Sequence, residues 1–182
     1  THAVLEHLVL GAVLAAVIVL VFLGSARSTA IAAIAIPISI VGTFTVMYLF
    51  GFTLNFLTLL ALALAVGIVI DDAIVVIENI MSFIEKRGMK PFPAAVSGTK
   101  EIGMAVLATT LALMSVFVPI AFMDGIIGRF LRSFGLTMAS AIGVSLFVSF
   151  TLTPMLGARL LKRHDPNAPP GFLYRVVDVV YK

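Results

Sequence analysis

The chain has 182 residues, of which 61% are hydrophobic and only 12% charged, and its mean hydropathy is +1.18. Soluble domains carry about 25% charged residues, so a water-soluble globular fold is excluded and the composition requires an integral membrane protein. Without cysteine there is no disulfide or thiolate chemistry, and the net charge of +3 matters less than where the basic residues fall.

Taken in order, the first apolar run is 8–24, approached through His2, Glu6 and His7 and closed by Gly24 and the short loop carrying Arg27. A second run, 29–50, contains Pro37, which a membrane helix tolerates as a kink. After the uncharged connector 51–55 comes a third run, 56–80, which holds Asp71 and Asp72. The charged segment 85–101, with Pro91 and Pro93, suggests a short surface helix. A fourth run covers 102–122, a loop is expected over 123–133 with Arg129 and Arg132, and a fifth run covers 134–161. Beyond it, 162–182 reads as a polar loop followed by the start of an amphipathic surface helix, Phe172, Val176, Val179 and Val180 recurring at helical spacing. The expected fold class is therefore all-α, a polytopic bundle of five spanning helices. Because the chain begins at Thr1 with no basic leader, it reads as an excerpt of something longer.

Five spans place the two ends on opposite sides. One side collects Arg27, Lys86, Arg87, Lys90, Lys100, Arg159, Lys162, Arg163, Arg175 and Lys182, the other only Arg129 and Arg132. The positive-inside rule makes the first side cytoplasmic, with the N-terminus outside and the C-terminus inside.

Asp71 and Asp72 lie mid-span, where a carboxylate is costly, faces protein or water, and marks a functional site by default. Thr58, Ala61, Ala65, Asp72 and Asn79 share one helical face of small and polar side chains, while Asp71 lies on the neighbouring face with Gly67 and Glu78. Two adjacent carboxylates in a low-dielectric site titrate as a coupled unit, which suits a device that takes up and releases protons. A cationic partner would complete it, yet no run in this chain has Lys or Arg at its middle. An aspartyl protease fits poorly, since it needs carboxylates facing one another, and these two diverge by about 100° on one helix. A stand-alone scaffold or oligomeric channel would have to satisfy the pair within its own oligomer. A purely structural role, in which an aspartate hydrogen-bonds a neighbouring helix, is a further alternative.

The stretch GIVIDDAIVVIENI (67–80) resembles the fourth-helix motif of the resistance-nodulation-division transporters, the proton-driven efflux pumps of bacterial inner membranes. Residues 35–37, 42–44 and 51–55 resemble that family's third helix and following turn, Phe117–Phe122 the end of its fifth, and Leu152–Met155 the end of its sixth. The resemblance implies helices two to six of a twelve-helix antiporter, with Asp71 and Asp72 as the proton relay. The paired aspartates point to the multidrug branch, and so to export of hydrophobic and amphiphilic compounds. It further implies a relay lysine in a second half not contained in these residues, a homotrimer, and a periplasmic adaptor with an outer-membrane channel. The only energy source implied is the proton motive force, with no cofactor, metal or nucleic acid involved, and the reaction is transport rather than enzymatic conversion.

Overall fold

The computed structural model describes residues 25–162. The span expected over 8–24 and the surface helix expected within 162–182 lie outside the described residues, Lys162 aside. Four helices make up the described part: α1 (Ala26–Leu49), α2 (Phe56–Lys86), α3 (Pro91–Ala121) and α4 (Gly125–Leu160). Each is long and apolar enough to cross a membrane. No strand occurs among the described residues.

The helix ends follow from local chemistry. Gly51, at φ 71°, occupies the left-handed region and lets the Phe52 N–H reach the Met47 carbonyl, closing α1. α2 opens on a reciprocal capping box: Asn55 Oδ1 accepts from the Thr58 N–H at 3.0 Å, and Thr58 Oγ1 accepts from the Asn55 N–H at 2.8 Å. At its other end Gly88, at φ 64°, turns the chain so that the Met89 N–H meets the Phe83 carbonyl. Pro91 then begins α3, where its missing N–H costs nothing.

Two expectations are corrected. The charged segment 85–101 forms no separate surface helix: α3 runs unbroken from Pro91 through Lys100 and Glu101 into its apolar stretch. Nor is 123–133 a loop, because α4 starts at Gly125 and carries Arg129 and Arg132 on its first turns. In both places charge marks where the hydrocarbon ends, and nothing in the residues stops the helix there. At about 1.5 Å per residue, the 31 residues of α2 and α3 and the 36 of α4 outreach a hydrocarbon core of about 30 Å. Their charged turns accordingly project into the interfacial regions. Pro37, Pro119 and Pro154 all lie inside helices that continue through them.

The core is layered along the bundle. At one end Ile31 and Ala32 of α1 meet Ile80, Phe83 and Ile84 of α2, Ala94 and Ala95 of α3, and Leu161. At the other, Ala61 and Ala65 of α2 pack with Met138 and Ala141 of α4, and with Phe117 and Phe134. Between them Ala35, Ala73 and Val148 join α1, α2 and α4. The helices therefore run alternately up and down. Arg27, Lys86, Arg87, Lys90, Lys100, Arg159 and Lys162 gather at one end, Arg129 and Arg132 at the other.

Small residues bring the helices close. A Cβ on Gly98 would lie 3.2 Å from the Ile80 Cα, so α3 crosses α2 almost backbone to backbone. Gly135 does the same for α4 against α3, where a Cβ would come 2.8 Å from the Phe117 carbonyl oxygen.

Candidate functional site

Asp71 and Asp72 sit midway along α2, and one residue of separation gives them different surroundings. The face bearing Thr58, Ala61 and Ala65 is buried, with both alanines packed against Met138 and Ala141 of α4. Asp72 lies at the edge of this face, partly buried. Its Oδ2 accepts a hydrogen bond from Ser145 Oγ of α4 at 3.2 Å. The same hydroxyl lies 3.1 Å from the Val69 carbonyl oxygen, one turn earlier on α2. Ser145 itself is 1% exposed.

Asp71 faces outward from the four helices, as do Gly67 and Glu78. A Cβ on Gly67 would meet nothing within 4 Å. The polar wedge expected on α2 is thus divided: its Asp72 side is packed on α4, and its Asp71 side is open. Asn79, one step toward the basic end, donates from Nδ2 to the Gly98 carbonyl at 2.7 Å, fastening α2 to α3 where their backbones cross.

Two features bear on electrostatics. The sole ion pair among the described residues joins Arg87 and Glu101 at 3.3 Å, at the basic end, with Arg87 also stacked 3.8 Å over the Phe83 ring. No Lys or Arg occurs between Ser28 and Glu85, between Ile102 and Gly128, or between Ser133 and Ala158. The carboxylates are thus separated from every cation of these helices by much of a helix length.

Sequence reasoning did not single out Ser145. The available signal was the column Thr137, Ala141, Ser145, Ser149, Thr153 and Gly157, spaced by four along a largely apolar helix, every member of it buried. Such spacing marks a close-packing face. Within this column Ser145 reaches Asp72, whereas the hydroxyls of Thr137, Ser149 and Thr153 are buried without a hydrogen-bond partner.

Comparison with known proteins identifies the family. The family model described as the AcrB/AcrD/AcrF family matches residues 1–180. The chain is 50% identical over 165 residues to the multidrug resistance protein MdtC of Pantoea ananatis, a match covering 91% of this chain and 16% of that protein. It is 53% identical over 150 residues to the protein of the same name from Proteus mirabilis, covering 82% of this chain and 14% of that one. MdtC of Photorhabdus laumondii is 50% identical over 161 residues, 88% of this chain and 15% of the relative. The chain therefore spans about a sixth of the length of these relatives. With a family match over nearly its whole length, the chain belongs to the AcrB/AcrD/AcrF family of resistance-nodulation-division transporters.

Proposed function

We propose that these residues form the proton-handling part of the first transmembrane half of a proton-driven multidrug efflux antiporter in a bacterial inner membrane. The observation carrying this reading is Asp72, mid-helix in an apolar bundle, partly buried and hydrogen-bonded to a neighbouring helix, with no cation of its own helices at that depth. A carboxylate held this way belongs to a path for protons or ions rather than to packing alone. The similarity to proteins named for multidrug resistance supplies the transported class.

In this reading Asp71 and Asp72 take up a proton from the periplasmic side and release it toward the cytoplasm. The open Asp71 face of α2 receives the relay lysine from the second half of the transporter. Losing and regaining that contact as the pair titrates drives the helices past one another. The end rich in basic residues is cytoplasmic by the positive-inside rule, so the N-terminus is periplasmic and the C-terminus cytoplasmic. The working unit is a homotrimer joined to a periplasmic adaptor and an outer-membrane channel.

The test is Asp72→Asn in the full-length transporter, reconstituted in vesicles under an imposed pH gradient. Proton-coupled export is expected to be lost while the protein still inserts and assembles. Export at the wild-type rate would end the relay assignment.

A further inference from the structure

We infer that Ser145 is a positioning residue that reads the protonation state of Asp72 and transmits it to the contact between α2 and α4. This rests on the reading of Asp72 as a proton-carrying group. Ser145 Oγ has one hydrogen and two acceptors within reach on α2: the Val69 carbonyl at 3.1 Å and Asp72 Oδ2 at 3.2 Å. With Asp72 ionised, that hydrogen is drawn to the carboxylate, because a charged acceptor makes the stronger bond. The Val69 carbonyl then keeps only its bond within α2.

With Asp72 protonated, the direction reverses. The carboxylic O–H donates to Ser145 Oγ, and the serine hydrogen is free to donate to the Val69 carbonyl. Protonation thus replaces one shared hydrogen bond between the helices by two that are fully made. The proton gained resides on Asp72 throughout, and Ser145 neither gains nor loses one.

The surroundings convert this local change into helix movement. Val144, beside Ser145, packs so closely on Gly42 of α1 that a Cβ there would lie 2.7 Å from its Cγ1. Val148, one turn on, packs with Ala35 of α1 and Ala73 of α2. A change in how α4 grips α2 is therefore carried to α1. Among the described residues, the groups that could disturb this reading are few. Asp71 is the adjacent titratable group on α2, with Glu78 further on; α1 between Ser28 and Leu49 offers only Tyr48 at its end; α3 between Ile102 and Ala121 and α4 between Ser133 and Ala158 offer none.

The experiment uses the full-length transporter carrying Ser145→Ala, Ser149→Ala or Asp72→Asn. Ser149 is the control, since its hydroxyl is equally buried on the same helix face but has no partner. Two readouts are taken: the carboxylic C=O band in the pH-induced infrared difference spectrum, assigned by its loss in Asp72→Asn, and the pH profile of export. Ser145→Ala is expected to shift the Asp72 band to higher frequency. It should also displace the midpoint of the export profile by about half a pH unit or more, the scale of one hydrogen bond. Ser149→Ala should leave band and midpoint in place. If Ser145→Ala leaves both unchanged while Asp72→Asn abolishes band and export, the role of Ser145 is wrong and the relay reading stands. If Ser149→Ala moves them as far as Ser145→Ala does, packing rather than the hydroxyl is responsible and the role is likewise wrong. If Asp72→Asn keeps both band and export, the relay reading falls as well.

Discussion

The two faces of α2 differ more than their residues suggest. Both hold a carboxylate, yet the face with the small residues Ala61 and Ala65 and with Asp72 is packed on α4, while the face with Gly67, Asp71 and Glu78 has no neighbour in these four helices. The Asp72 side is a finished interface, with a hydrogen bond from Ser145 and alanines that let the backbones approach. The Asp71 side combines two carboxylates with one glycine and is exposed in these four helices. Adjacent residues on a helix point about 100° apart, so a single helix can present one carboxylate to each of two neighbours. A pair placed side by side is thereby suited to link two helix packings that move separately.

The largest expected effect comes from the carboxylate at the finished interface. Asp72→Asn preserves shape and hydrogen bonding but cannot carry a proton at the site. Export driven by a pH gradient is expected to fall by about a hundredfold or more, the scale on which a lost proton-transfer group is felt. Vesicle transport assays with the full-length protein measure this directly. A residual rate within a few-fold of wild type would mean that the packed carboxylate is structural, and the difference between the faces would lose its functional meaning.

Next in size is Gly98→Val, which attacks the packed side through its close helix crossing. The new Cβ would lie 3.2 Å from the Ile80 Cα and 3.3 Å from its nitrogen, both backbone atoms that cannot swing aside. Overpacking of this kind costs about 1–3 kcal/mol. The melting midpoint of the transporter in detergent should drop, and an unchanged midpoint would show that α3 is free to back away from α2. Asn79→Ala should cost less. It removes the 2.7 Å bond to the Gly98 carbonyl, and interhelical hydrogen bonds of this type contribute about 0.6–2 kcal/mol. In the same melting assay its loss is expected to be smaller than that of Gly98→Val. The reverse order would place the hold between α2 and α3 in the hydrogen bond rather than in backbone proximity.

How much of this could be read from the residues depends on range. The helical class, the mid-span position of the aspartates and the division of polar residues into two adjacent faces all follow from hydropathy and the helical repeat. Helix ends did not follow from charge. Arg129, Arg132, Lys100 and Glu101 mark the limit of the hydrocarbon, but the helices continue through them because charged residues are good helix formers in water. Ser145 was not legible at all. The column Thr137, Ser145, Ser149 and Thr153 offers several equivalent hydroxyls, and which of them meets Asp72 is decided by the axial register of α4 against α2. That register is fixed by side chains far apart in sequence, such as Ala61 and Ala65 against Met138 and Ala141. The cation proposed to meet the aspartate pair was legible only as a requirement, since these helices carry no Lys or Arg at that depth.

The smallest expected effect tests the open face most directly, through Gly67→Ala. Within these four helices nothing lies within 4 Å of the added methyl, so packing is undisturbed. Replacing glycine by alanine inside a helix is favourable by about 0.5–1 kcal/mol when the site is unobstructed. A face that stays open to lipid in the whole transporter would therefore show a slightly raised melting midpoint and unchanged export. A face covered closely by a helix of the second half would show the opposite sign, because the methyl would hold that helix away from Asp71. The proposed relay requires the second result, with export reduced and the midpoint lowered. A stabilised, fully active Gly67→Ala transporter would leave Asp71 facing lipid, and the relay would have to operate through Asp72 and Ser145 alone.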